Sequence, residues 1–302
     1  MPSAPAASTP TAPGPIDPSA TYTFPSRDGT NLYAEWFPVP TPRAIALVIH
    51  GYLEHCGRYR EVAHVLHRAG VAALTFDLRG HGRSDGQRGF IESVDDYLDD
   101  VQAALHKLHE SATDLHRGRA RPPLLLLGHS NGGLLTLRLL ADPARKPAGV
   151  RAAVVSSPFL ALGAPVPPAR KLMAVVASRW MPRLAVPSDL QIEWLTSDPE
   201  KQEERRMDPL CIEVGSARWY TATLEAHEYV ADFAARIDVP TLWLVAGGDR
   251  ISDVSMTRVI HSRITAPNHY REFAGMEHEV FNERERARPF AELSSFIEQN
   301  FR

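Results

Sequence analysis

The chain has 302 residues, 44% hydrophobic and 23% charged, a globular composition that excludes a disordered, collagen-like or coiled-coil protein. Lysine and arginine number 33 against 36 acidic residues, and the net charge of −3 offers no basic field for nucleic acid. Two cysteines, Cys56 and Cys211, exclude a disulfide framework and make a cytoplasmic protein the expectation, and no apolar run reaches the ~20 residues that span a bilayer.

Residues 1–20 are rich in Pro, Ala, Ser and Thr, lack the basic start and apolar stretch of a signal peptide, and read as a flexible tail. Order is expected from Thr21. Two strand-like runs, 22–24 and 31–37, flank Asp28-Gly29, a hairpin turn signal. Short, continuously apolar runs then follow at 44–49, 71–76, 124–127, 150–155, 241–246 and 270–273. Apolarity on both sides of such short runs predicts parallel strands covered on both faces. Helical patterns at 58–69, 94–109, 131–140, 254–264 and 289–301 intervene. The fold class is therefore α/β, a mostly parallel eight-stranded sheet flanked by helices. Residues 159–236 hold no clear strand and only proline-broken helical stretches. They read as a helical cap inserted between core segments 21–158 and 237–302.

Run 124–127 leads into Gly128-His129-Ser130-Asn131-Gly132 and then a helical pattern. This is G-x-S-x-G in the strand–turn–helix context that makes it a nucleophile elbow. A sharp turn lifts the serine above the strand ends, and its neighbours two positions away must be small to avoid clashes. The helix behind the serine offers a free N–H, from Asn131, and a dipole that favours an anion. A serine hydroxyl is a weak nucleophile until a base takes its proton. In this architecture an acid and then a histidine follow in chain order. Asp249, just past the run 241–246, is the candidate acid, with Asp253 as the alternative, and His278, after the run 270–273, is the candidate base. His261 and His269 fall in a helix and at a strand start and read as structural. A second oxyanion donor is expected after the run 44–49, where His50-Gly51-Tyr52 makes the Tyr52 N–H the candidate. Cys56, in the same loop, reads as a small space-filling residue. No cofactor is required, and no H-E-x-x-H or comparable metal set is present.

His50-Gly51-x-x-Glu54-His55-x-x-Arg58-Tyr59, Asp77-x-Arg79-Gly80-His81-Gly82, Gly128-His129-Ser130-x-Gly132-Gly133, Gly248-Asp249-Arg250-x-x-Asp253 and His278-Glu279-x-x-Asn282-Glu283 resemble the monoglyceride lipase and lysophospholipase group of α/β-hydrolases. The resemblance covers nearly all of the chain from Thr21. It implies hydrolysis of a small single-chain lipid ester through an acyl-enzyme on Ser130. It also places Glu54 and Arg58 near the polar head of the substrate, with an ion pair holding the oxyanion loop as the other reading. Departures are Asn131 where the group often has Met, Tyr52 where many members have a small residue, and Arg205 where an aromatic residue is common. The alternatives in function are a short-chain esterase, a thioesterase, an amidase or peptidase, or a non-catalytic binding protein on this scaffold.

In the cap, Leu172, Val176, Trp180 and Leu184 recur at four-residue spacing beside Lys171, Arg179 and Arg183. This stripe is expected to roof the acyl site or pack on the core. Transient contact with a membrane surface is the alternative.

Overall fold

The computed structural model describes residues 12–116 and 118–302. Eight strands form one sheet: β1 (Ala20–Pro25), β2 (Asn31–Phe37), β3 (Ala44–Ile49), β4 (Val71–Phe76), β5 (Leu124–His129), β6 (Val150–Ser156), and, after the small cap pair β7 (Ala185–Pro187) and β8 (Val214–Ser216), β9 (Thr241–Ala246) and β10 (Asn268–Phe273). Their order is β1-β2-β4-β3-β5-β6-β9-β10. The β1–β2 and β2–β4 pairs are antiparallel and the rest parallel. The first hairpin closes through Ser26 N–H to Thr30 O at 2.8 Å, with Gly29 at φ 87°.

Side-chain alternation explains why the central strands are apolar throughout. Ile45, Leu47 and Ile49 enter one hydrophobic cluster, whereas Ala44, Ala46 and Val48 enter the other. The first cluster is completed by α2 (Val94–Ala112), α3 (Asn131–Ala141) and α7 (Val254–Arg263), the second by α1 (Arg60–Arg68) and α8 (Ala287–Asn300). Each fully buried leucine or isoleucine contributes ~1.5–3 kcal/mol, so the sheet is held from both faces. Polar signals set the helix starts: Ser93 and Asp96 form a capping box on α2, and Asp253 Oδ1 accepts the N–H groups of Ser255 and Met256 at the start of α7.

The cap comprises α4 (Pro168–Trp180), α5 (Pro199–Met207), α6 (Ala217–Phe233) and the antiparallel pair β7–β8. That pair corrects the expectation of a strandless insertion; three-residue strands carry too few alternations to register as a pattern. Helix α6 packs on α4 on one side and on α3 on the other, with Ala222, Ala226 and Val230 in the first core cluster. The α4 stripe is corrected too: Leu172, Met173, Val176, Trp180, Met181 and Leu184 are exposed rather than turned inward, and Ser178 is the buried residue of the helix.

The expected flexible tail, residues 1–20, falls outside the described residues for 1–11. Residues 12–19 lie on the body. Ala12 and Ile16 pack on the second cluster, His64 Nδ1 lies 2.7 Å from Gly14 O, and Ser19 N–H donates to Trp36 O at 2.9 Å. Among the described residues no helix is long and apolar enough to cross a membrane.

Candidate active site

The parallel strands β3, β4, β5, β6, β9 and β10 all end at the same edge of the sheet, where an open α/β sheet places its ligands. Three non-glycine residues with positive φ stand there: Leu53 at 66°, Ser130 at 51° and Ser157 at 39°. Backbone strain of this kind persists only where the surroundings over-determine it.

Ser130 is the single residue between β5 and α3, with φ 51° and ψ −116°. Its N–H donates to Ser156 O, and its carbonyl accepts from Leu134 and Phe159 N–H, so the turn is tied to the neighbouring loop. The small flanking residues have a measurable cause. A Cβ on Gly128 would lie 2.2 Å from Gly132 O, and one on Gly132 would lie 2.1 Å from Ile49 O. Asn131 opens α3, where the first N–H groups lack intrahelical acceptors. Its side-chain Nδ2 is buried and unpartnered among the described residues.

His278 Nδ1 lies 2.7 Å from Asp249 Oδ2, with both side chains buried. The other carboxylate oxygen of Asp249 accepts from Ile251 and Ser252 N–H, which leaves Oδ2 aimed at the ring. Of the two candidate acids, then, Asp249 meets His278 and Asp253 caps a helix. Burial works to lower the His278 pKa, but the Asp249 charge and hydrogen bond, with the Glu279 and Glu54 charges, raise it above the ordinary 6.5. The ring of His129, next to Ser130, lies 4.9 Å from that of His278. Burial first, then the His278 charge, pushes His129 down to about 4, which keeps it neutral.

The loop after β3 is held by a buried ionic network. Glu54 accepts from Gly51 N–H at 2.6 Å, from Tyr59 Oη–H at 2.7 Å and from Arg58 Nε–H at 3.1 Å. Arg58 Nη2 also donates to Glu279 at 2.5 Å, and Asn282 Nδ2 donates to the same carboxylate oxygen. Glu54 and Arg58 thus spend their hydrogen bonds on protein groups, the arrangement of the ion-pair reading. Burial raises the Glu54 pKa, but His129, a cation only in the acid range, with Arg58, His50 and the Tyr59 hydrogen bond, brings it down to about 2. A Cβ on Gly51 would lie 3.1 Å from Ser130 Cβ, so the loop backbone runs directly past the serine. His50 is buried as well. Its Nε2 accepts from Leu78 N–H, so Nδ1 carries the proton and donates to Gly51 O at 2.6 Å. Tyr52 donates from Oη to Gly89 O at 2.8 Å and stacks on Trp219. Cys56 is fully buried, and burial, with Asp77 and Glu35 nearby, pushes its thiol pKa well up, consistent with the space-filling reading.

Sequence reasoning missed three supports of this loop. Glu279 closes the network from a different element. Arg205 is buried and donates to the carbonyl of the strained Leu53 at 2.9 Å. Trp219 covers Tyr52 from the cap. Two of them carried a sequence signal, Glu279 in the His278-Glu279-x-x-Asn282 string and Arg205 among the departures; Trp219 carried none.

His55, Asp208 and Cys211 bring three ligand-type atoms within 4.8 Å of one another. Gly57 N–H donates to His55 Nδ1, so Nε2 carries the proton and donates to Asp208 at 2.6 Å. Burial pushes the Cys211 thiol up to about 12. The three groups are thus protonated or already paired, a poor donor set for a cation.

The sheet, its crossovers and the serine turn define an α/β-hydrolase. The chain belongs to the Hydrolase_4 family, described as serine aminopeptidase S33, whose model matches residues 40–285. It is 32% identical over 260 residues to Phospholipase YtpA of Bacillus subtilis, covering 85% of this chain and 96% of the relative. It is 29% identical over 271 residues to the monoacylglycerol lipase of Mycolicibacterium smegmatis, covering 88% and 92%. The crystal structure of the Paleococcus ferrophilus monoacylglycerol lipase superimposes with a TM-score of 0.77 at 28% identity, covering 88% of this chain and 98% of that one. The chain is a lipase- or esterase-type hydrolase of the monoglyceride lipase group.

Proposed function

We propose that the protein is a serine carboxylic-ester hydrolase that releases a fatty acid from monoacylglycerol-like or lysophospholipid-like esters through an acyl-enzyme. The observation that carries this reading is the buried His278–Asp249 pair, 2.7 Å apart, beside the strained Ser130 turn. Ser130 Oγ attacks the ester carbonyl as His278 takes its proton. Asp249 holds the ring in the tautomer that receives it and stabilises the imidazolium. The carbonyl oxygen becomes an oxyanion that accepts from the backbone N–H groups of Tyr52 and Asn131. Collapse expels the glycerol-type alcohol, protonated by His278, and leaves the acyl group on Ser130. Water, deprotonated by His278, then attacks the acyl carbon, releases the fatty acid and restores the serine. Glu54 and Arg58 act as positioning residues that fix the oxyanion loop through Gly51 rather than as head-group ligands.

The family description favours a second reading, peptide hydrolysis. An aminopeptidase needs a free carboxylate for the substrate ammonium. Glu54 and Glu279 both engage Arg58, which supports the ester reading.

The relatives' names supply the lipid class, and the exposed α4 stripe supplies a surface suited to lipid. Arg170, Lys171, Arg179 and Arg183 flank its apolar residues, and α4 carries no acidic residue. We assign it transient contact with an anionic membrane surface. Leu172→Ser/Trp180→Ser should lose most co-sedimentation with anionic vesicles; unchanged co-sedimentation refutes the contact.

The primary test is fatty-acid release from a medium-chain monoacylglycerol, run beside an aminoacyl anilide. Wild type should release fatty acid, and Ser130→Ala should lose it by ~10⁴-fold or more. Anilide cleavage without ester cleavage overturns the ester reading. Equal activity of Ser130→Ala overturns the nucleophile.

A further inference from the structure

Tyr52 and Phe159 flank the nucleophile. Tyr52 follows Gly51, whose backbone passes Ser130, and Phe159 N–H donates to Ser130 O at 2.9 Å. Trp219, from α6 of the cap, joins their rings. It stacks on Tyr52 with centroids 3.5 Å apart and planes within 9°, and on Phe159 at 6.1 Å and 12°. A spacing of 3.5 Å is van der Waals contact, so no methylene passes between the Tyr52 and Trp219 rings. The Tyr52 ring is pinned. Its hydroxyl is bonded to Gly89 O, Ser216 Oγ bonds the same carbonyl, and a Cβ on Gly215 would lie 2.9 Å from the hydroxyl.

The sheet order says which half of the substrate meets this arch. His278 and Asp249 follow β10 and β9, on one side of β5. The alcohol leaves toward the histidine that protonates it, so the acyl group extends the other way, toward β3 and β4. The Tyr52 and Gly89 loops leave from those strands, and Phe159, in the loop after β6, meets Trp219 from the other side of β5 and closes the arch. The arch also carries buried polar atoms without a partner among the described residues, Trp219 Nε1 and His227 Nε2, the latter ring edge-on to Phe159 at 5.1 Å. Such atoms give an extended alkyl chain a poor seat.

We propose that the Tyr52–Trp219–Phe159 stack is the end wall of the acyl site and limits acyl chain length, so that short and medium acyl esters are preferred over long ones. This rests on the ester-hydrolase reading above. The test is kcat/KM for p-nitrophenyl esters from butanoyl to octadecanoyl, presented below their aggregation limits. Wild type should fall at least ~10-fold between its best short ester and the hexadecanoyl ester. Trp219→Ala should raise the long-to-short ratio by ~10-fold or more, and Phe159→Leu should raise it in the same direction. The ratio is taken within one preparation, so a loss of folded enzyme cancels.

A wild type that prefers the longest esters overturns the wall whatever the variants do. So does a ratio that stays within ~2-fold of wild type in both variants. If Trp219→Ala does not fold, the wild-type profile and Phe159→Leu decide. Failure of the underlying reading looks different: no ester of any length is cleaved, and a serine-directed phosphonate leaves Ser130 unlabelled.

Discussion

Replacing Arg58 by Met should destabilise the protein by ~3–5 kcal/mol at neutral pH, the range for breaking a buried ion pair from one side. The guanidinium side chain is 8% exposed, and Glu54 and Glu279 are 5% exposed on either side of it. At the 3.1 Å separation from Glu54, an effective dielectric of ~20 gives an attraction of about 5 kcal/mol before the desolvation cost. The sign with pH follows. Glu54's folded pKa is depressed, so its stabilisation is present above 4.5 and is lost as pH falls through about 2. With Arg58 gone, Glu54 is left facing a second buried carboxylate with no cation between them and takes up a proton more readily. The deficit should therefore be largest at neutral pH and shrink toward ~pH 4.5. Urea unfolding of wild type and Arg58→Met at both pH values measures it. Arg58→Lys should fall between them, because a point charge cannot serve both carboxylates as the planar fork does. A deficit below ~1 kcal/mol, or one equal at both pH values, would refute the reasoning.

Three further outcomes follow from the geometry around Ser130. The neutral form of His278 is the proposed base, and its pKa is raised above 6.5, so kcat/KM should rise with pH through an apparent pKa above 6.5. Asp249→Asn should cut activity ~10⁴-fold and move the His278 titration, followed by NMR, to lower pH; an unmoved titration counts against the pair. Gly132→Ala should cost ~3 kcal/mol or more in a thermal or urea melt, since its Cβ would meet the backbone oxygens of Ile49 and His50 at 2.1 and 2.6 Å. Gly14→Ala, with nothing within 4 Å, is the control and should stay within ~0.5 kcal/mol.

The sequence by itself determined the sheet and the position of the serine. Both are encoded locally. Alternate side chains of β3 and β5 must be apolar because each face is covered, so the strands are legible as runs. Gly128 and Gly132 flank Ser130 because a Cβ at either would strike backbone. Asp249 and His278 could be named from chain order, but their meeting, 29 residues apart, is a tertiary fact. The structure alone shows that Asp249 meets His278 while Asp253 caps a helix, since a carboxylate after a strand and one before a helix look alike in sequence. It alone decided that Glu54 and Arg58 are engaged by protein groups, because their partner Glu279 comes from the far end of the chain. It decided that the α4 stripe faces outward, because periodicity defines an apolar face without saying what the face meets. And it brought Trp219 across to Tyr52, a contact set by how α6 packs between α3 and α4 rather than by any local pattern.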